Sequence, residues 1–180
     1  QIYVQSNNWL ELTQKPAIAI VGSRKATPYG TSVTRQLARE LSRAGMTVVS
    51  GLALGIDGVA HQATLEAGGL TIAVLAGGLD KLHPSRHEQL ARRIVAQGGA
   101  LISEYPSGTP SHKSSFIERN RLVSGLSRAL VVTEAAEKSG TLHTAAFALE
   151  QGREVLAVPG NITSPSQPAP TGSLKRGQRL

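Results

Sequence analysis

Residues 17–69 read AIAIVGSRKATPYGTSVTRQLARELSRAGMTVVSGLALGIDGVAHQATLEAGG and contain two strand–loop–helix units in succession. Residues 17–21 form a short, purely apolar run, which is typical of a strand covered on both faces, and residues 47–50 form a second candidate strand. Each strand ends in a loop that contains glycine and leads into a helical pattern. Thr27 is the expected N-cap of the first helix, and Asp57 is the expected cap of the second.

The two loops together predict a site for an anion. Glycine-bearing turns at helix N-termini present backbone N–H groups and the positive end of the helix dipole. Loops that follow adjacent strands of one parallel sheet face a common crevice. The alternative is that these glycines only close tight turns. The candidate binding residues are Gly22, Ser23, Arg24 and Lys25 in the first loop and Gly51, Gly55, Ile56 and Asp57 in the second.

Neither loop matches a nucleotide-binding fingerprint. Gly22 is followed by Ser-Arg-Lys, so the chain has neither G-x-G-x-x-G nor G-x-x-x-x-G-K-[ST] at this point. A dinucleotide site also needs an acid about 20 residues further on, at the end of the next strand. Glu40 is near that distance, but it lies within the predicted helix. These departures argue against an NAD-binding domain.

Further apolar runs alternate with helical patterns along the rest of the chain. The additional predicted strands are residues 70–76, 100–103, 129–133 and 155–158. This alternation indicates an α/β fold, a Rossmann-like three-layer sandwich with a mostly parallel sheet. The predicted organisation is an irregular lead-in over residues 1–16, a Rossmann-like domain over 17–162 and a weakly ordered basic tail over 163–180.

A cluster of polar residues follows the long loop after the fourth of these strands. Arg119, Asn120 and Arg121 are expected near the start of a helix, closely preceded by Phe116. Two arginines at a helix N-terminus oppose the helix dipole, so helix stability does not explain them, whereas a bound anion does. The alternative is a pair of solvated surface arginines. All four residues are therefore candidates for the binding site.

Ser139, Gly140 and Thr141 form a further candidate phosphate cradle before a predicted helix, although a plain capped turn fits them equally well. Gly77 and Gly78 either approach the same ligand or only form a turn. His83 and His87 lie four residues apart but lack a visible third ligand, so we predict no metal site and no cofactor.

Composition narrows the classes of protein that fit. The net charge is +7, and Lys175, Arg176 and Arg179 supply three of these charges without any acid in the last twenty residues. A polyanionic partner is therefore favoured. The chain has no cysteine, which fits the cytoplasm, and no apolar run long enough for a membrane span. It begins with neither methionine nor a signal peptide, so we expect a piece of a longer protein.

The motifs resemble those of the DNA-processing protein A (Smf) family. The similar segments are Val21-Gly22-Ser23-Arg24, the run S-G-L-A-x-G-I-D-x-x-A-H at 50–61, an F-P-x-R-N-R block at 116–121 and S-G-[ST]-L-x-T-A at 139–145. Ile117 replaces the usual proline of the third segment, and His83 and His87 replace a usual tyrosine and asparagine. The resemblance covers roughly residues 17–162.

This resemblance implies a non-enzymatic single-stranded DNA binder. Such proteins protect incoming strands during natural transformation, form homodimers and load the RecA recombinase onto DNA. Several separated cradles also suit a chain of phosphates better than a single nucleotide, and binding of this kind is salt-sensitive.

The alternative is an enzyme that acts on a nucleotide, related to the Lonely-guy phosphoribohydrolases. Their P-G-G-x-G-T-x-x-E loop would correspond to the region around Ser139, but the P-G-G and the glutamate are missing. Asp57, Glu104 and Glu134 are the acids expected near strand ends, and no paired-carboxylate or Ser/His/Asp spacing connects them.

Overall fold

The computed structural model describes residues 1–135 and 139–160, and in this part of the chain strands and helices alternate. The strands are β1 (Tyr3–Ser6), β2 (Ala17–Gly22), β3 (Thr47–Ser50), β4 (Thr71–Val74), β5 (Ala100–Ser103), β6 (Ala129–Glu134) and β7 (Glu154–Ala157). The helices are α1 (Trp9–Gln14), α2 (Pro28–Arg43), α3 (Ile56–Glu66), α4 (Glu88–Ala96), α5 (Lys113–Gly125) and α6 (Gly140–Glu150). A short 3-10 turn, Ser85–His87, precedes α4.

One sheet contains all seven of these strands in the order β1-β5-β4-β3-β2-β6-β7. Every neighbouring pair is parallel except β1 and β5, which are antiparallel. The chain runs outward from β2 to β5 and then returns to place β6 on the other side of β2. Ligands of open α/β sheets bind where the strand order reverses in this way, outside the carboxyl ends of the strands.

Helices cover both faces of the sheet, so the three-layer α/β prediction is confirmed. On one face, Val123 of α5 and Ala148 of α6 pack in a core with Ala19, Val49 and Leu130. On the other face, α2 and α3 cover Ile20 and Val48, and α4 covers Ala73 and Leu101. Alternate residues of β2 therefore point into opposite cores, which explains why the whole strand is apolar.

The lead-in was predicted to be irregular, and this prediction was wrong. Residues 3–6 extend the sheet as edge strand β1, with Tyr3 opposite Ser103 and Ser6 opposite Ala100. The strand is half-exposed and carries little apolar signal, which is why its sequence pattern did not reveal it. Helix α1 then buries Leu12, and Trp9 packs beside it against the same core.

The predicted basic tail, residues 163–180, lies outside the described residues. Most of the predicted domain, residues 17–162, is described, apart from 136–138 and the last two positions. Within the described residues, no helix combines the length and apolar character that crossing a membrane requires.

Candidate functional site

An open cleft lies at the carboxyl ends of β2, β3 and β6, where the strand order reverses. Its volume is about 500 Å³. It is lined by Val21, Gly22, Ser23, Arg24, Lys25, Gly51, Ala53, Asp57, Lys113, Phe116, Ile117, Arg119, Asn120, Val123, Ser139, Gly140, Thr141 and Thr144. The structure therefore brings together twelve of the fifteen predicted site residues, from four separate segments of the chain, at one place. Gly55, Ile56 and Arg121 do not line the cleft.

The first loop is held by the N-terminus of α2 and by an acid at the end of β6. Thr27 is the N-cap, as predicted: its hydroxyl accepts a hydrogen bond from the Gly30 amide at 3.0 Å. The Glu134 carboxylate accepts from both the amide and the hydroxyl of Thr27, each at 3.0 Å. Ser23 closes the loop locally, since its hydroxyl accepts from the Lys25 amide. The loop that presents Arg24 is thus fixed at both ends.

Three cations line the cleft without an ion-pair partner among residues 1–135 and 139–160: Arg24, Lys25 and Lys113. All three side chains are exposed. Lys113 is the first residue of α5 and was not among the predicted site residues. Its neighbours are polar, so no motif identified it, and only the fold brings it beside the first loop.

Phe116 supplies an aromatic wall to the cleft. The Arg24 guanidinium lies over its ring, 5.2 Å from the centroid, in a cation–π arrangement. His83 approaches the same ring edge-on, with centroids 5.6 Å apart. Ile117 is exposed beside it and also lines the cleft. The cleft therefore combines cations with an apolar surface that a nucleobase could contact.

Asp57 was expected to cap α3, and this expectation was wrong. The N-cap is Gly55, and Asp57 lies in the first helical turn, where it is buried. Its Oδ2 atom accepts from the amides of Gly51 at 3.1 Å and Ala53 at 3.4 Å, so it folds the second loop back on itself. Burial raises the pKa of the Asp57 carboxyl, and the charge of Arg119 acts against this rise.

Because Asp57 takes the amides of Gly51 and Ala53, these two groups are not available to an anion. The prediction that backbone amides of the second loop bind an anion is therefore wrong for Gly51 and Ala53. Gly55 and Ile56 serve the packing of the two loops. The Ile56 amide donates to the Ser23 carbonyl at 3.1 Å, and the Ile56 side chain is fully buried beneath Gly22.

Arg119 and Arg121 do not lie at the start of their helix, as was predicted. Helix α5 begins at Lys113, six residues before Arg119, because the Ser115 hydroxyl accepts from the His112 amide and starts the helix within a polar segment. The argument from the helix dipole therefore does not apply to these arginines. Their separation of two residues, a rotation of about 200° around α5, places them on different faces of the helix.

Arg119 points into the protein beneath the cleft. Its side chain is 4% exposed, and Nη1 donates to the carbonyls of Gly51, at 2.5 Å, and Val74. Burial lowers the pKa of the guanidinium to about 10, while the charge of Asp57 raises it. Arg119 therefore links α5 to the ends of β3 and β4 through hydrogen bonds. Nothing in the sequence indicated that its donors are used in this way.

Arg121 faces solvent on another side of α5. It pairs with Glu104, and it does not line the cleft. Glu104 and the other charges nearby raise the pKa of its guanidinium, the hydrogen bond to Glu104 most strongly. Asn120 stays at the cleft, where its side-chain amide donates to the Gly140 carbonyl at 3.3 Å and joins α5 to the start of α6.

The N-terminus of α6 forms the remaining wall. Ser139 is the N-cap, and its hydroxyl accepts from the Thr141 amide at 3.2 Å and donates to the Thr141 hydroxyl at 2.9 Å. Both readings of this segment hold in part: it is a capped turn, and it also lines the cleft. The positive end of the α6 dipole is therefore directed to the same space as the three exposed cations.

Gly77 and Gly78 pack against the protein instead of the cleft. The Gly78 amide donates to the Thr109 carbonyl at 2.8 Å, and a side chain at Gly77 would collide with the same carbonyl. The Nδ1–H group of His87 donates to the Leu52 carbonyl at 2.8 Å. Among the described residues, no three histidine, aspartate or glutamate side chains form a group that could hold a metal ion.

The three acids near the strand ends all have defined structural contacts. Glu134 binds Thr27, Asp57 binds the second loop, and Glu104 pairs with Arg121. A nucleotide-cleaving enzyme needs carboxylates that are free to exchange a proton with substrate. The arrangement gives no support to the alternative of a phosphoribohydrolase.

Comparison with known proteins identifies relatives over nearly the whole chain. A family profile described as DNA recombination-mediator protein A matches residues 2–179. Protein Smf of Escherichia coli is 49% identical over 163 residues, which cover 91% of this chain and 44% of that protein. DNA processing protein DprA of Bacillus subtilis is 45% identical over 168 residues, which cover 93% of this chain and 56% of that protein. The chain thus spans about half the length of these relatives.

Solved structures give the same relationship. DNA processing protein A of Streptococcus pneumoniae is 38% identical with a TM-score of 0.82, over 91% of this chain and 56% of that chain. The protein from Helicobacter pylori, whose structure concerns its single-stranded DNA binding mode, is 33% identical with a TM-score of 0.82, over 91% and 74%. A molybdenum cofactor binding protein of Rippkaea orientalis shares the fold alone, at 21% identity and a TM-score of 0.58 over 82% of this chain and 78% of that one.

The family profile spans almost all 180 residues, and the fold and the order of the motifs agree with it. The chain therefore belongs to the DNA recombination-mediator protein A family.

Proposed function

We propose that this chain binds single-stranded DNA in the cleft at the carboxyl ends of β2, β3 and β6, and that it acts as the DNA-binding domain of a recombination mediator. The observation that carries the proposal is the convergence of Arg24, Lys25 and Lys113 on this cleft. These cations have no ion-pair partner among the described residues, so they are available to phosphates.

The shape and chemistry of the cleft favour a polymer over a mononucleotide. The cations come from two different elements, the first loop and the start of α5, and the helix N-terminus at Ser139 adds a third positive region. One phosphate cannot satisfy all of these positions, whereas successive phosphates of one strand can. The Phe116 ring offers contact to a base without reading its edges, so we propose weak dependence on sequence.

The residues proposed to hold the backbone are fewer than the sequence suggested. Ser23, Arg24, Lys25, Lys113, Asn120, Ser139, Gly140 and Thr141 line the cleft and form the proposed phosphate contacts, with Phe116 as a base contact. Gly22 and Gly51 line the cleft at positions that leave no room for a side chain. A Cβ atom at Gly22 would lie 2.6 Å from Ile56, and one at Gly51 would lie 2.6 Å from Arg119.

The experiment that tests this proposal is a fluorescence anisotropy titration of labelled oligo-dT at two salt concentrations, with thymidine monophosphate as competitor. We expect oligonucleotide binding that weakens as salt rises, and little competition by the mononucleotide. Arg24→Ala should weaken binding by about 1–2 kcal/mol, as for the loss of a charge-assisted contact. Equal binding by the parent and by Arg24→Ala would refute the assignment of the cleft.

Arg128→Ala is a matched control for this titration. Arg128 is exposed like Arg24, but it immediately precedes β6 and therefore lies at the opposite edge of the sheet. Its removal changes the net charge by the same amount without touching the cleft. We expect Arg128→Ala to bind oligo-dT within about twofold of the parent, because a distant exposed charge is largely screened.

The wider role is also part of the proposal. The protein would protect incoming single strands during natural transformation in the cytoplasm, form a homodimer and load the RecA recombinase without itself catalysing a reaction. Membership of a recombination-mediator family supports this. The test is RecA filament assembly on oligo-dT already covered by a single-strand-binding protein. Faster assembly in the presence of the full-length protein is expected, and no acceleration would refute RecA loading.

A further inference from the structure

A buried pair of opposite charges lies directly beneath the proposed DNA cleft. Arg119 is 4% exposed and Asp57 is 7% exposed. Arg119 donates to the carbonyls of Gly51 and Val74, and Asp57 accepts from the amide of the same Gly51. The two side chains therefore hydrogen-bond to both backbone polar groups of Gly51, Arg119 to its carbonyl and Asp57 to its amide.

We propose that Arg119 is a positioning residue for the bound DNA: it fixes the Gly51 loop and neutralises Asp57, and it does not contact the DNA itself. The proposal rests on the proposed function. It replaces the sequence-based view of Arg119 as a phosphate ligand. Nη1 donates to two buried carbonyls and Nε donates to the side-chain oxygen of Asn120, so these donors are not directed to a ligand.

Neutralisation matters because Asp57 is an acid that lines a cleft built for an anion. With Arg119 present, its charge is offset inside the protein, where electrostatic interactions are weakly screened. Without Arg119, the pKa of the Asp57 carboxyl would rise further, because the arginine charge would no longer oppose the effect of burial. Above this pKa the carboxylate would be uncompensated and would repel a phosphate backbone. Loss of this arginine should therefore weaken DNA binding through an acid that the DNA does not touch.

The structure provides a clean way to remove that acid. Both hydrogen bonds that Asp57 accepts from backbone amides end on the same oxygen, Oδ2. In Asp57→Asn, the single amide oxygen can accept both bonds, so the fold of the second loop is retained while the charge is lost. The informative set is the parent chain, Arg24→Ala, Arg119→Met, Asp57→Asn and the double variant Asp57→Asn/Arg119→Met.

The measurement is the affinity for oligo-dT across a series of salt concentrations at alkaline pH, which favours the ionised form of the Asp57 carboxyl. We expect Arg119→Met to bind about tenfold more weakly with an unchanged salt slope, and Asp57→Asn to restore the part of that affinity that the uncompensated charge removes in the double variant. Arg24→Ala should instead reduce the slope by about 0.7, the value for one lost phosphate contact on a single strand. A reduced slope in Arg119→Met, or no recovery in the double variant, would overturn the proposal.

A second measurement uses the parent chain, so its outcome does not depend on whether a variant folds. Phenylglyoxal modifies accessible arginines, and mass spectrometry locates the sites. We expect Arg24 to react and to be protected by oligo-dT, and Arg119 to stay unmodified with or without DNA. Modification of Arg119 in the free chain that DNA then prevents would refute the proposal.

The two proposals fail in different ways. If the unmodified chain shows no salt-sensitive binding of oligo-dT, the proposed function is wrong, and the role of Arg119 falls with it. If the chain binds and Arg24→Ala weakens binding, while Arg119→Met binds like the parent, then only the role of Arg119 is wrong.

Discussion

Gly55 determines how closely the two loops of the cleft can approach each other, and Gly55→Ala should damage both stability and binding. Its φ is +76° and its ψ is −129°, a conformation that costs residues with a side chain about 1–3 kcal/mol. A Cβ atom at this position would also lie 2.2 Å from the carbonyl oxygen of Ser23 and 2.7 Å from the carbonyl carbon of Arg24. The neighbour is backbone, so it cannot move aside as a flexible side chain can.

The size of the effect follows from adding these two contributions. Contact at ordinary van der Waals distance would require the first loop to retreat by roughly an ångström, and overpacking of this kind costs about 1–3 kcal/mol. We expect Gly55→Ala to lower the free energy of unfolding by about 4 kcal/mol in total. The displaced backbone carries Arg24, so the variant should also bind oligo-dT more weakly although no charge is removed.

Gly45→Ala separates the two contributions. Gly45 also has a positive φ, +73°, but no atom lies within 4 Å of its hypothetical Cβ. It ends α2, away from the cleft, so this control carries the conformational cost alone, about 1 kcal/mol, and should leave DNA binding unchanged. Urea unfolding followed by circular dichroism measures both variants. Equal destabilisation by the two substitutions would refute the claim that the loops are packed against each other through Gly55.

Three further predictions concern other parts of the fold. Thr27→Ala removes the cap of α2 and one donor to Glu134, so urea unfolding should give a loss of about 1–2 kcal/mol; an unchanged stability would contradict the capping geometry. Arg121→Ala should alter stability by less than about 1 kcal/mol and leave oligo-dT binding intact, because its pair with Glu104 is exposed; weaker binding by this variant would contradict its placement outside the cleft. Burial lowers the pKa of His61 to about 3 in the folded chain. Below about pH 6.5, this imidazole is therefore protonated in the unfolded chain but stays neutral in the folded chain. The parent should therefore lose about 2 kcal/mol more stability than His61→Gln between pH 7 and pH 5, and identical pH profiles would contradict a neutral buried imidazole.

The physical basis of the pH prediction is visible in the contacts of His61. The Thr71 hydroxyl donates to the Val48 carbonyl at 2.7 Å, so it must accept from Nδ1 of His61, which lies 2.7 Å away. The other ring nitrogen, Nε2, is buried without a hydrogen-bond partner among the described residues. Protonation would add a buried donor with no acceptor, and this cost keeps the ring neutral in the folded state.

The order of strands and loops was predictable because parallel α/β sheets impose it. Short apolar runs separated by helical patterns require crossover connections, and crossovers place all carboxyl ends at one edge. The cluster of Gly22, Gly51 and Ser139 at one cleft follows from this rule. The parallel direction of the strands therefore determined which segments would meet, and no side-chain detail was needed.

Side-chain roles were less predictable, because they depend on contacts between distant segments. Arg119 and Arg121 are two residues apart in one motif, yet the helix turns one into the core and the other into solvent. The start of α5 was missed because it lacks an apolar pattern and depends on Ser115. Asp57 was assigned a local capping role, whereas its carboxylate is used by backbone amides earlier in the loop. Each error came from treating a local signal as sufficient.

The most direct test of the central claim is a crystal structure of this chain with a short oligo-dT. The account predicts successive phosphates along the cleft, with one phosphate within hydrogen-bond distance of Arg24 and another near Lys113, while Arg119 keeps its bonds to Gly51 and Val74. A strand bound along the opposite edge of the sheet, beside Arg128, or a phosphate paired directly with Arg119, would contradict it.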